Sequence, residues 1–176
     1  MTCSGRNIPS YELFTSPDWR GTEGVVVYNQ PLYYNGSVIK GIRLLFQQGR
    51  VVEAHAQHNE ALLTAMLAKP NADKVGEFSL TDKRLSRVLV PMGVTLYDEN
   101  LGGPFGNTHL AVGRCYTDTY AGDISQVSTE TLLELGFNDP SCEVHTDMIS
   151  TSDRTVTAFW PKKPSKVMYT NGQFTV

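Results

Sequence analysis

The sequence predicts an α+β fold, a strand-rich single domain over residues 1–176 with a mixed sheet, hairpins and about two helices. Three observations carry that expectation. Runs rich in β-branched and aromatic residues recur between turn signals. Asn-Gly pairs stand at 35–36 and 171–172, and Asn-Gly is a strong short-range hairpin signal. Only two stretches carry helical spacing, so strand outweighs helix.

Taken in order, "EGVVVY", "IRLLFQ" and "GRVVEAHA" read as strands, and "YNGS" and "TNGQ" as hairpin signals. "NEALLTAMLA" places Leu62, Leu63, Met66 and Leu67 on one helical face. "STETLLELG" has a Ser/Thr start and a glycine stop around a short helix. Pro91 makes "VLVPMGVTLY" an interrupted strand, and "DMIS" and "RTVTAFW" read as late strands. No repeat, low-complexity stretch or linker divides the chain.

Composition narrows the function classes. Of 176 residues, 40% are hydrophobic and 19% charged, as in a folded globular chain. A formal net charge of −3 gives no reason to expect nucleic acid as a partner. The longest aliphatic run, "VVVY", is too short to span a bilayer, so no membrane is expected. "MTCSGRNIPS" lacks the apolar core of a signal peptide, which points to the cytoplasm. Cys3, Cys115 and Cys142 are odd in number and widely spaced, so reduced thiols are expected. Cys142 lies three residues before His145, which puts the two on opposite faces of a strand and argues against a shared metal.

The candidate chemistry lies in histidines and carboxylates. His145 and Asp147 in "CEVHTDMISTSD" are two apart and project from one face of a strand, as paired metal ligands or as one polar face of a half-buried strand. His109 shares its strand face with Ala111 and Gly113, small residues that leave room for a metal or a substrate; the alternative is a packed core histidine. His55 and His58 read as solvated or capping residues. Glu77 follows a glycine within a strand-like run, where an unpaired charge facing the core is disfavoured. Glu12 lies among apolar and turn residues without regular alternation, and Glu99 precedes a glycine-rich loop leading to His109. Two histidines with three or four acids suit a two-metal site with a bridging carboxylate. Imidazole and carboxylate donors suit zinc, cobalt or manganese.

An ordered set of stretches resembles the thermophilic-type metallo-aminopeptidase family (the aminopeptidase T and aminopeptidase S type). They are "GRNIPSYELFTSPD", "VVYNQPLYYNGSVI", "GRVVEAHA", "VGEFSL", "LYDEN", "THLAVGRCY", "VHTDMI" and "NGQF", and they run over nearly the whole chain. The resemblance implies a hydrolase with two divalent metal ions that removes N-terminal residues from peptides carrying a free N-terminus. It implies metal-ligand roles for Glu12, Glu77, His109, His145 and Asp147, with Glu77 bridging. Glu99 matches an acid that serves as a ligand or a proton-transfer group, and Tyr116 a tyrosine whose hydroxyl steadies the oxyanion. The implied chemistry has one ion bind the free α-amine and a bridging hydroxide attack the scissile carbonyl, with Glu99 or Glu77 passing its proton to the leaving amine.

Two departures bear on these expectations. Family members carry a separate N-terminal domain before the "NIPS" motif, so the chain matches the C-terminal catalytic half, and the family's homodimer is expected of the full-length protein. "LGGPFGN" is longer than the matching loop and bears on Glu99. A catalytically inactive metal- or peptide-binding fragment is the alternative function, and a metal-free structural domain a third.

Overall fold

Alternating apolar residues make strands the dominant regular element. The computed structural model describes residues 11–175, and among them are twelve strands and three α-helices. The first half runs β1 (Glu12–Thr15), β2 (Gly24–Tyr28), β3 (Leu32–Tyr34), β4 (Ser37–Ile39), β5 (Ile42–Gln47), β6 (Arg50–His55) and α1 (Glu60–Leu67). It continues with β7 (Val75–Thr81), α2 (Thr95–Asp98), β8 (Asn107–Gly113), α3 (Thr129–Glu134), β9 (His145–Ser150), β10 (Val156–Trp160), β11 (Lys163–Thr170) and β12 (Gln173–Phe174). Cys3 and the "GRNIPS" part of the first motif lie outside the described residues.

Both Asn-Gly pairs turn hairpins. Asn35 and Gly36 have φ of 48° and 72°, and Asn171 and Gly172 have 50° and 75°. Positive φ at both central residues gives a turn whose twist matches the flanking strands. The first pair joins β3 to β4 and the second joins β11 to β12. α1 buries Leu63, Met66 and Leu67, with Leu62 half-buried beside them. α3 is capped by Ser128, whose hydroxyl accepts from the Thr131 amide.

The sheet that matters for function has the order β1-β7-β8-β9 and is antiparallel throughout. A three-stranded sheet β2-β5-β6, the β3–β4 hairpin and the β10–β11–β12 meander flank it, also antiparallel. Among the described residues, parallel pairing occurs at the isolated bridge from Val88 to Leu101. The sequence expectation differs at two places. Glu12 begins a short regular strand because β1 borrows its pairing from β7, so it needs little alternation of its own. The segment after Pro91 turns into the short helix α2 instead of resuming a strand. There the Asp98 carboxylate accepts from the Met92 and Gly93 amides at 2.6 and 3.0 Å and fixes the turn.

The two faces of the central sheet have opposite characters. Leu110, Val112 and Met148 point into the main hydrophobic core, together with Leu44, Phe46 and Met66. On the other face Ala111 stands between Glu77 and Asp147 in register, and His109 is beside Ser79. β7 reaches this division through a bulge. Val75 pairs with Val112, yet Glu77, two residues on, pairs with Ala111, the next residue of β8. One extra residue, Gly76, thus sends Val75 to the core and Glu77 to the opposite face. A Cβ at Gly76 would lie 2.3 Å from the Arg114 carbonyl oxygen and 2.4 Å from that of Gly113. Gly76→Ala is therefore expected to destabilise the chain by about 2 kcal/mol or more in urea unfolding. A loss smaller than a surface substitution would remove the bulge as the device that aims Glu77.

Candidate metal centre

Every strand of the central sheet sends a side chain to one cluster. β1 supplies Glu12, β7 Glu77, β8 His109 and β9 both His145 and Asp147. Register aligns them: Glu77, Ala111 and Asp147 form one row, and Gly113 lies opposite His145. Ala111 is the small residue between Glu77 and Asp147, whereas at Gly113 a Cβ would run into the Val144 carbonyl and φ is 93°. His109 is 1% exposed and Glu77 3% exposed, so both must be satisfied within the protein.

Distances divide the cluster in two. His109 Nε2 lies 3.3 Å from Glu12 Oε2 and 3.4 Å from Glu77 Oε1. His145 Nε2 lies 3.4 Å from Glu77 Oε2 and 3.6 Å from Asp147 Oδ2. Asp147 also turns Oδ1 toward His109 Nε2, at 3.9 Å. Ligand atoms converge in two groups, Glu12–Glu77–His109 and Glu77–His145–Asp147. Glu77 belongs to both, one oxygen facing each imidazole. His145 Nε2 and Asp147 Oδ1 are buried and lack an aligned hydrogen-bond partner. Buried polar atoms aimed at one another's acceptors, in an imidazole and carboxylate set, fit divalent cations of the zinc, cobalt and manganese kind.

Electrostatics agree with that fit. Burial pushes the Glu77 carboxyl up, but the His109 and His145 imidazoles against its two oxygens outweigh burial and hold it below its usual range. Burial opposes charging His109, yet Glu77, Asp147 and Glu12 around it raise its pKa to about 10. His145 is raised in the same way, by Glu77 and Asp147 against burial. Burial raises Glu12, more than His109 and the Ser79 hydroxyl lower it. A concentration of carboxylates that recruits protons onto imidazole will equally recruit a cation.

Glu99 joins the cluster from outside the sheet. It closes α2, is 8% exposed, and its carboxyl meets Asp147. Burial and then the Asp147 charge push it up to about 9, so it holds a proton at neutral pH. It belongs to neither converging ligand group. The long loop after it is nonetheless pinned. The Glu99 carbonyl accepts from Asn107 Nδ2 at 2.8 Å and from Thr81 Oγ1 at 3.3 Å. Tyr116 lies edge-on to His145 with ring centroids 4.6 Å apart, and Phe14 backs it at 5.6 Å. Burial, then Asp147, Glu77 and Glu99, raise its phenol, which keeps its proton as a donor.

Supporting residues complete the centre without having stood out in the sequence. Ser79 is fully buried and its hydroxyl donates to Glu12 Oε2 at 2.8 Å. The Arg114 carbonyl accepts from His145 Nδ1 at 2.7 Å, which fixes the ring with Nε2 turned toward the acids. Ser16 Oγ accepts from the Tyr116 amide at 2.8 Å and fixes that residue where β8 ends. A polar residue at i+2 from Glu77 was the only available signal for Ser79, and backbone partners such as Arg114 leave none. His55 and His58 are exposed, and His55 Nδ1 lies 3.5 Å from Glu60 Oε2, far from the cluster. Cys142 is buried, its thiol donating to the Pro70 carbonyl at 3.3 Å, away from His145.

Comparisons with known proteins identify the family. The family described as "Thermophilic metalloprotease (M29)" matches residues 3–174. Aminopeptidase PepS of Streptococcus thermophilus is 32% identical over 151 residues, which is 84% of this chain and 35% of that protein. Aminopeptidase AmpS of Bacillus subtilis is 30% identical over 172 residues, 96% of this chain and 40% of that one. The solved structure of wild-type AmpT from Thermus thermophilus superposes with a TM-score of 0.82 at 26% identity, covering 99% of this chain and 43% of its own. The chain thus spans well under half the length of these relatives. With the match running over nearly all its residues, the chain belongs to the thermophilic metalloprotease (M29) family.

Proposed function

We propose that the chain carries the catalytic centre of a dinuclear metal-dependent aminopeptidase acting on peptides with a free N-terminus. The observation that carries this reading is Glu77, whose two buried oxygens each face a different histidine at 3.4 Å. In this reading Glu12, Glu77 and His109 hold one divalent ion, and Glu77, His145 and Asp147 hold the second. Bound there, the ions would polarise a scissile carbonyl and acidify water. The protein's own groups do the rest. Glu99, proton-bearing and beside Asp147, carries a proton to the leaving amine. The Tyr116 phenol donates a hydrogen bond to the developing oxyanion. The Arg114 carbonyl keeps the His145 ring in one tautomer. Cys115 and Cys142 are both free and buried, which agrees with a cytoplasmic setting. No described helix is long and apolar enough to cross a membrane. A homodimer is the proposed state of the full-length protein.

The direct test is hydrolysis of leucine amide with and without zinc, cobalt or manganese, beside elemental analysis of the purified chain. Release of leucine that depends on metal is expected. Two metal equivalents without release would leave a binding module, and no bound metal would end the reading.

Occupancy should respond to the shared ligand. Glu77→Gln keeps the side chain's size and removes its charge, so bound metal should fall from two equivalents to one or fewer. Two equivalents retained would refute a bridging Glu77.

The pH dependence of the chelated chain has a definite sign. His109 is raised from 6.5 to about 10, so its contribution to stability is full below pH 6.5 and is lost as pH rises through 10. Glu99 is raised from 4.5 to about 9, and its contribution is lost over that interval. The melting temperature with chelator should therefore fall from about pH 6.5 to 9, and added manganese should oppose the fall. A flat chelated profile would sink this assignment.

Ligands of one ion act as a unit. His145→Ala and Asp147→Asn should each abolish hydrolysis, with the double variant little worse, whereas His58→Ala stays near wild type. Full activity in Asp147→Asn would remove β9 from the centre.

A further inference from the structure

The two halves of the centre are held by different means. Each has one acid of its own, Glu12 in one group and Asp147 in the other, with Glu77 common to both. Asp147 keeps Oδ1 buried without an aligned hydrogen-bond partner and leans on Glu99, an acid that arrives from the end of α2. Glu12 instead accepts a neutral hydroxyl, Ser79 Oγ, on Oε2 at 2.8 Å. We infer that Ser79 is a positioning residue for the Glu12–His109 half alone, and that its hydroxyl sets that half's affinity for a divalent cation. The inference rests on the dinuclear reading above and adds an inequality between its two sites.

Strand geometry gives Ser79 that role. It stands two residues after Glu77 on β7, so the two share a face, and it pairs with Phe14 on β1 and with His109 on β8. The hydroxyl thus lies between the strands that carry Glu12 and His109. The oxygen it holds, Glu12 Oε2, is also the one 3.3 Å from His109 Nε2. Ser79 is fully buried, so bulk water does not compete for its proton. Glu12 needs such support more than Asp147 does. β1 is a four-residue edge strand paired to β7 alone, and a glutamate has one more rotatable bond to fix than an aspartate. A donor on a central strand removes that freedom before a cation arrives. Ligands oriented in this way by a neighbour bind metal more tightly.

Manganese titration of the chelated chain against a competing metal indicator gives two dissociation constants, and these carry the test. Ser79→Ala should weaken one of them by about 10–100-fold, the usual loss when a partner of a metal ligand is removed, and leave the other within about threefold. In an Asp147→Asn background, where the Glu12 half is the one left intact, Ser79→Ala should weaken the remaining equivalent by the same factor. The isosteric pair Ser79→Thr and Ser79→Val separates the hydroxyl from packing. Ser79→Thr should stay within about threefold of the unmodified chain, and Ser79→Val should match Ser79→Ala. At saturating manganese, Ser79→Ala should hydrolyse leucine amide with a kcat within about fivefold of the unmodified chain, because the hydroxyl acts only through Glu12. Equal weakening of both equivalents, weakening of neither, or a kcat that stays low at saturating manganese overturns the inference and leaves the dinuclear reading standing. If Ser79→Ala does not fold, the Thr and Val variants decide, and equal affinities in those two overturn the inference. An unmodified chain that binds fewer than two equivalents brings down the dinuclear reading and this inference together.

Discussion

A carboxylate buried between two imidazoles is the constraint on which the rest of the structure turns. Glu77 is 3% exposed and ionised, and an ionised carboxylate taken out of water is costly unless it is compensated on the spot. Both of its oxygens are compensated, by His109 on β8 and His145 on β9. Those histidines reach it only if β7, β8 and β9 align Glu77, Ala111 and Asp147 in one row, with Gly113 opposite His145. The sheet order β1-β7-β8-β9 is thus what a buried Glu77 demands, with β1 adding Glu12 on the free side.

The bulge at Gly76 lets one strand serve two masters. A regular β7 would point Val75 and Glu77 to the same face and would have to expose an apolar residue or bury an acid in the core. Because Gly76 approaches the Gly113 and Arg114 carbonyls closely, β7 shifts by one residue there. The hydrophobic face then stays unbroken through Val75, Val112 and Met148. The polar face gains Glu77 at the same step. Arg114 is used twice in this arrangement: its carbonyl abuts Gly76 and also accepts from His145 Nδ1. Displacing that one peptide group would disturb both the bulge and the orientation of a ligand.

Much of this was legible in the sequence because it depends on local chemistry. The Asn-Gly hairpins, the apolar face of α1 and the capped α3 follow from residues that are near one another in the chain. His109 and His145 lie inside the cluster, and His55 and His58 are exposed. Of the two small residues on that face, Ala111 stands between Glu77 and Asp147, while Gly113 is small because the Val144 carbonyl lies against it. What escaped depends on partners far away in sequence. β1 is a strand because β7 is beside it, and Ser79 matters because Glu12 lies 67 residues earlier. The segment after Pro91 has strand-like composition, yet Asp98 gathers two amides and makes a helical turn. Carbonyl ligands to imidazole carry no side-chain signature at all. The ordered resemblance to the family supplied what spacing alone left open, the bridging role expected of Glu77 and the place of Tyr116.

The position of Glu99 shows how the polar face is finished from outside the sheet. Its acid arrives on a loop whose sequence gives little sign of rigidity, with glycines at 102, 103 and 106. Order comes from the frame around it. Asn107, fully buried at the start of β8, donates to the carbonyls of Glu99 and Leu101 at 2.8 and 2.6 Å. Thr81 at the end of β7 reaches the same Glu99 carbonyl. Tyr169 on β11 then sets its hydroxyl 2.9 Å from the carbonyls of both Thr81 and Phe105, tying the C-terminal meander to β7 and to the loop. A fully buried tyrosine so placed restrains backbone on both sides of the acid without touching it. Holding the main chain while leaving the carboxyl against Asp147 gives Glu99 a fixed position and a raised pKa, with Asp147, His109 and Glu12 as its charged neighbours.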